Sequence, residues 1–268
     1  LTLHDIIFLE PRQGGNRSWY QNMGWYYRRM VVPRILSQCE KIITVSHFEC
    51  NRIREALQLP KDKITAIYNG YSEHFRPLSE TLSITRKYID DDDYIFFLGN
   101  TDPKKNVART LKAYSLYLKQ SDKKRPLLIA DLSKDKLDAI LREQQIEEIK
   151  PYLSYPGYIP NKDLAYLYNG AFVFLYTSLR ESFGIPMLEA MACGTPVITG
   201  NTSAMPEIAG EGGILVNSLN AKEIAEKILY LEQDQIFYQN QIKYGLNRVQ
   251  KFSWAQTAEN LLSLYRTI

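Results

Sequence analysis

The stretch AFVFLYTSLRESFGIPMLEAMACGTPVIT (171–199) decides how this chain folds. It opens with AFVFLYTS, a short apolar and aromatic run ending in polar residues, the pattern of a strand buried in a parallel sheet. Pro186 suits the first position of a helix, where its missing N–H costs nothing, and Gly194-Thr195-Pro196 is a helix stop. Strand, turn and helix in that order put the turn at a strand's carboxyl end, the edge where parallel sheets bind ligands. Phe183, Gly184 and Ile185 form the turn, and the amides of Gly184 and Ile185 would point from a helix start whose dipole favours an anion. Glu181 and Glu189 straddle it, eight positions apart. An ionised Glu189 offers two acceptor oxygens to the vicinal hydroxyls of a ribose, and Glu181 could accept from sugar hydroxyls. Taken singly, they read as a solvated loop residue and a dipole-matching helix carboxylate.

Outward from this segment the same alternation repeats. YIFFLG (94–99), LLIA (127–130), LSYPGYI (153–159), PVIT (196–199) and GGILV (212–216) read as strands. Helices are expected over 81–89, 107–120, 133–149, 161–169, 186–193, 203–209 and 221–234, with a last one over 253–266 begun by Ser253. That is a doubly wound parallel α/β sheet. Before it, a strand over 1–9, a helix within 17–37, a strand at 41–45, a helix over 47–58 capped by Ser46 and a strand at 63–67 form a separate group. Asn69-Gly70 turns toward a boundary near residue 76.

The composition, 45% hydrophobic and 24% charged in 268 residues, is that of an ordinary globular chain with ample core. A net charge of +3 and a pI of about 8.6 give no ground for a nucleic-acid partner. Cys39, Cys50 and Cys193 lack metal-ligand spacing and read as buried thiols of a reducing cytoplasm. Apolar runs fall far short of the ~20 residues that span a bilayer. Asp90 to Asp93 precede a strand, at the end opposite the ligand edge, and read as a solvated acidic loop rather than a metal site. His47 and His74 make no ligand cluster with His4, so no structural zinc is expected.

The segment ESFGIPMLEAMACGTPV (181–197) resembles the retaining glycosyltransferases of family four, a GT-B group whose signature is Glu, seven residues, Glu in a context like EGFGxPxLEAMAxGxPV. Only Ser182 departs, from the commoner glycine. LHD (3–5), TVSHF (44–48), YNG (68–70), FFLGNTDPKKN (96–106), YPGYIPNKDLAYLY (155–168), MPEIAGEGGILV (205–216) and FSWAQTAENLLSLY (252–265) follow the family's order, so the resemblance covers nearly the whole chain. It implies two facing Rossmann-like domains. Residues 1–75 would be the end of an acceptor-side domain truncated at its N-terminus, 76–250 the nucleotide-sugar domain, and 251–268 a helix returning to the first.

The resemblance also assigns residues. Lys105 falls on the phosphate-binding lysine of a GTLEPRKN-like loop, and a cation there acts most strongly as charge builds on the departing diphosphate. Lys104 stands where arginine is common, and lacks its bidentate fork. Asn100 follows Gly99 where other members carry arginine. His4 is implied as a contact to the transferred sugar or its phosphate, with Asp5 orienting its imidazole, and Ile159 as the residue nearest the base. Tyr158 beside it reads as ordinary packing. Implied partners are a nucleotide sugar, GDP-mannose or a UDP-sugar, and a glycan or polyprenyl-diphosphate-linked oligosaccharide acceptor, with no metal or other cofactor.

Residues 17–34 interleave aromatics with Arg17, Arg28, Arg29 and Arg34. They read equally as a peripheral contact with the inner face of a membrane and as an amphipathic helix packing Trp25 on the core. The expectation is a metal-independent retaining hexosyltransferase of surface polysaccharide assembly. The rival is a non-catalytic nucleotide-sugar-binding fragment, and a phosphorylase or epimerase of the same fold is weaker.

Overall fold

In the computed structural model, which describes residues 1–9 and 19–267, the chain divides between Gly70 and Tyr71 and again between Ser253 and Trp254. The first unit contains α1 (Trp19–Gln38), β1 (Ile42–Thr44), α2 (His47–Leu57) and β2 (Ile64–Ala66). β1 and β2 pair in parallel over a core of Ile6, Leu36, Ile42, Ile53 and Ile64. Ser46 Oγ accepts the Glu49 amide at 3.2 Å and so starts α2, the expected cap.

The expected strand over 1–9 shrinks to one bridge, Thr2 to Ile43. Asp5 Oδ1 accepts the Ile7 amide at 3.0 Å, and Ile7–Leu9 closes a 3-10 turn. A short carboxylate that bonds the backbone two residues on offers an alternative to the ladder. Of the 17–34 stretch, Arg17 and Ser18 lie outside the described residues; α1 takes up the rest. Cys39 is only half-buried, unlike Cys50 and Cys193.

The second unit, Tyr71–Ser253, holds α3 (Leu82–Thr85), β3 (Tyr94–Leu98), α4 (Val107–Leu118), β4 (Leu127–Ala130), α5 (Lys134–Gln144), β5 (Leu153–Gly157) and α6 (Asn161–Gly170). It continues with β6 (Ala171–Tyr176), α7 (Ile185–Ala192), β7 (Val197–Gly200), α8 (Met205–Ala209), β8 (Gly213–Val216), α9 (Ala221–Gln233) and α10 (Gln235–Val249). α11 (Trp254–Tyr265) belongs to the first unit, where Thr257 Oγ1 donates to the Tyr68 carbonyl at 2.7 Å. The six strands are all parallel in the order β5-β4-β3-β6-β7-β8. This is the α/β doubly wound sheet read from the sequence. Tyr168 packs edge-on to Phe96 and Phe174 at 5.3 and 5.0 Å, and each such buried ring contributes about 2–3 kcal/mol.

Three helices depart from expectation. Only 82–85 of 81–89 is α-helical, because Lys87 and Tyr88 switch to carbonyls three residues back, Ile84 and Thr85. The helix expected over 133–149 stops at Gln145, whose φ is +55°, and Glu147–Tyr152 continues as 3-10 turns. α10 has no counterpart among the helices expected from the sequence. No glycine or proline separates it from α9; the break is Asp234, whose Oδ1 accepts the Phe237 amide at 2.8 Å.

The strand order reverses beside β3: β4 and β5 continue to one side, then the chain returns to place β6 on the other. Loops leaving β3 and β6 part there, at the point where sheets of this kind bind their ligands.

Candidate functional site

The loop leaving β3 is shaped by its own polar residues. The buried Gly99 donates its amide to the Ala130 carbonyl, and a Cβ there would meet Phe97 Cε1 at 2.9 Å. Asn100 Oδ1 accepts the Asp102 amide at 2.9 Å and Asp102 Oδ1 the Lys104 amide at 3.0 Å, two successive Asx turns. Asn106 then adopts φ +60° and starts α4. Its buried Nδ2 donates to the carbonyls of Thr177 at 3.1 Å and Ser218 at 2.7 Å, tying together the loops after β3, β6 and β8.

The loop leaving β6 is clamped from two directions. The Leu179 amide donates to the Lys104 carbonyl at 2.7 Å. The Glu181 amide donates to Ser203 Oγ at 3.0 Å, and the Glu181 carbonyl accepts from the Ala204 amide at 3.3 Å and Arg180 Nη1 at 3.1 Å. Ser203 itself sits at φ +55°. So held, the Glu181 carboxylate meets Lys105 Nζ at 2.8 Å across the strand-order reversal, with side chains 11% and 15% exposed. The ammonium also lies 4.9 Å from the centre of the Tyr176 ring. Burial and the Glu181 carboxylate beside it hold the Tyr176 hydroxyl protonated far above its ordinary range.

Gly184 begins α7 with φ +104°, a backbone conformation that favours glycine, and a Cβ there would displace the Met187 methyl, 2.6 Å away. The Phe183 ring is buried edge-on to Phe252 at 5.9 Å, which leaves its backbone, not its ring, to face a ligand. Glu189 is the fifth residue of α7. Burial raises its carboxyl to about 7, although the Tyr168 hydroxyl, 3.4 Å from Oε2, works the other way. The expectation of an ionised Glu189 therefore holds only above neutral pH. One helical turn on, burial and Glu189 push the Cys193 thiol up to about 12.

The remaining sequence candidates are more scattered. Lys104 Nζ lies 3.8 Å from Asp102, within its own loop. The Ile159 side chain is buried, 4% exposed, whereas Tyr158 is 77% exposed and does not pack as expected. His4 is exposed and lies in the first unit; its carbonyl accepts from Thr44 Oγ1 at 3.4 Å. Asn106, Ser203 and Tyr176 were missed. Asn106 and Ser203 position the loops at the carboxyl edge of the sheet through bonds to residues far away in sequence, and a lone Asn or Ser in a turn carries no mark of such a role.

A cation, two carboxylates and a helix start are thus found beside the switch point of a doubly wound sheet, the edge at which such sheets bind ligands. Residues 82–248 match the family model described as "Glycosyl transferases group 1", and residues 1–74 that described as "Glycosyltransferase Family 4". The chain belongs to the group 1 glycosyl transferases. It is 30% identical over 271 residues to the O-antigen chain mannosyltransferase B of Escherichia coli, covering 100% of this chain and 70% of that protein. Among solved structures it is similar to sucrose-phosphate synthase from Thermosynechococcus elongatus, with a TM-score of 0.79, 23% identity and coverage of 99% of this chain and 66% of that one. Anabaena HepE in complex with UDP and glucose has a TM-score of 0.77 and 16% identity, with coverage of 89% and 66%.

Proposed function

We propose that this protein transfers a hexose, mannose before glucose, from a nucleotide diphosphate sugar to a hydroxyl of a growing surface polysaccharide, with retention and without a metal ion. The observation that carries the reading is the Lys105–Glu181 pair bridging the loops of β3 and β6 at the strand-order reversal. The mannose preference rests on the mannosyltransferase named above, and the base is read as guanine ahead of uracil.

In the reaction so read, the donor diphosphate competes with Glu181 for the Lys105 ammonium. Its oxygens take up the Gly184 and Ile185 amides at the start of α7, and the freed Glu181 accepts from sugar hydroxyls. Glu189 accepts from the ribose diol when ionised, while Gly99, Asn100 and Lys104 shape the phosphate loop and the Ile159 backbone lies toward the base. As the bond from the anomeric carbon to the phosphate oxygen breaks, its electron pair stays on the diphosphate. Lys105 and the two amides stabilise the charge that develops there. The acceptor hydroxyl attacks the oxocarbenium-like carbon from the same face and gives its proton to a donor phosphate oxygen. No protein nucleophile is required. His4 is assigned, through the family resemblance, a contact to the sugar or its phosphate.

A polyprenyl-diphosphate-linked acceptor would lie at a membrane, and α1 supports peripheral binding there. Trp19, Met23, Tyr26 and Met30 recur at helical spacing, and each is exposed by 47% or more. Arg28, Arg29 and Arg34 lie on the same helix. Among the described residues no helix is long and apolar enough to cross a membrane.

Calorimetric titration with GDP, UDP, GDP-mannose and UDP-glucose, alongside Glu189→Ala, tests the reading. Micromolar binding of one nucleotide, lost in the variant, is the expected result. Transfer to a lipid-linked glycan, with the anomeric configuration read by NMR, tests retention. Binding without transfer to any acceptor would favour a nucleotide-sugar-binding piece, and binding of none by a folded chain would sink the donor site.

A further inference from the structure

A groove of about 500 Å³ lies on the far side of the β3 loop from Lys105, between the amino-terminal half of α4 and the outer face of α5. Neither Lys105, Glu181 nor Glu189 lines it. Arg109 and Lys112 enter it from α4 and Lys136 from α5, over an apolar floor that includes Leu132 and Ile140. Asp102 is the carboxylate of the lining, and its oxygens are engaged by the Lys104 amide at 3.0 Å and the Lys104 ammonium at 3.8 Å. Among the described residues neither Lys112 nor Lys136 forms an ion pair, whereas Arg109 Nη1 donates to Asn106 Oδ1 at 3.1 Å.

Three cations from two helices line one cavity with a partly apolar floor, and like charges on one small surface repel rather than stabilise. An anion relieves that repulsion. Ammonium groups act as point charges with three donors each and the guanidinium as a fork, a set that suits the oxygens of a phosphoryl group. The volume falls within the range of small-molecule sites, and the floor of Leu132 and Ile140 can cover a carbon skeleton. We propose that this groove is a second, separate site for a phosphoryl group carried on a ligand of sugar or nucleoside-phosphate size.

Its placement gives the ligand a route to the first site. Asn100–Pro103 and Asn106 form one wall of the groove, and Lys105 projects from the same turn. Arg109 holds Asn106, and Asn106 ties together the loops after β3, β6 and β8. An anion that draws Arg109 away therefore acts on the turn that presents Lys105.

The test uses the full chain and inorganic pyrophosphate, with binding followed by amide 1H–15N shifts in the wild type, in Lys105→Ala and in Lys112→Gln/Lys136→Gln. The expected result is a set of shifts at Arg109, Lys112 and Lys136 that persists in Lys105→Ala and weakens at least tenfold in the double variant. An unperturbed spectrum elsewhere shows that the double variant is folded. Sedimentation with phosphatidylcholine vesicles doped with phosphatidic acid separates the sources. Vesicle binding lost in the double variant assigns a lipid headgroup. Vesicle binding unchanged while pyrophosphate binding is lost assigns a soluble phosphate. If neither pyrophosphate nor vesicle binding differs between wild type and double variant, or if all shifts lie at Lys105 and Gly184, the site does not exist.

Discussion

Two ion-paired clusters mark opposite ends of the same sheet, and they are built differently. At the amino ends of the strands, Arg125 precedes β4 and Asp93 precedes β3. The 5%-exposed guanidinium bonds Asp93 through Nε and Glu232 through Nη1, each at 2.5 Å, and lies 3.7 Å over the Phe172 ring. Glu232 also accepts from the hydroxyls of Tyr117 and Ser121, each at 2.8 Å. At the carboxyl ends, Lys105 meets the Glu181 carboxylate through one 2.8 Å bond. The first cluster holds a rigid fork between two carboxylates. The second is a flexible point charge with one carboxylate partner, which on the proposed reading a donor phosphate replaces. Two partners tie elements of the fold together; a single exchangeable one frees a cation to act on a ligand.

Arg125→Ala is therefore the most disruptive change to stability. It strands Glu232 in the interior and should cost about 3–5 kcal/mol, read by denaturant unfolding, with nucleotide affinity intact wherever the chain remains folded. A loss below about 1 kcal/mol would break the contrast. Lys105→Ala should do the reverse, lowering turnover by about 10²–10³-fold while the unfolding midpoint moves much less than in Arg125→Ala.

Glu189 sharpens the comparison, because there function opposes stability. Its folded carboxyl, raised from 4.5 to about 7, binds protons more tightly than the unfolded one. Stability therefore falls as pH rises from about 4.5 to about 7, and the full cost is present above that window. Glu189→Gln should stabilise the protein by about 1–3 kcal/mol at pH 8.5, with the gain fading toward pH 4. Nucleotide affinity should climb through pH 7 in the wild type and lie flat and weak in the variant. A wild-type affinity independent of pH would remove Glu189 from the ribose. The smallest effect belongs to Asp93→Asn. This exposed arm of the Arg125 cluster, 53% accessible, should contribute under about 1 kcal/mol in a double-mutant cycle with Arg125.

The elements that sequence reading located well are those whose signals are local. Buried strands such as YIFFL and AFVFLY are continuous apolar runs, and the start of α7 carries Pro186 just inside and Gly184 just before it. Local signals failed where a side chain competes with the backbone. Asp5 turned an expected strand into a 3-10 turn, and Asp234 split one helical region into two helices without a glycine or proline. α10 packs closely because Gly245 approaches Gly212, where an added Cβ would lie 3.0 Å from the Gly245 Cα. That contact is invisible until both elements are folded.

Sequence by itself determined the parallel α/β sheet and the strand-turn-helix around Gly184, with Glu181 and Glu189 on either side of that turn. Each follows from hydrophobic period or backbone restriction within a few residues, whereas Lys105 was singled out by the family resemblance. Tertiary structure alone decided how those residues are held. It joined Lys105 to Glu181 across the strand-order reversal, fastened their loops through Asn106 and Ser203, and buried Glu189 deeply enough to hold its proton near neutrality. Pairing, clamping and desolvation depend on groups brought together from distant parts of the chain, and spacing along one chain does not contain that distance.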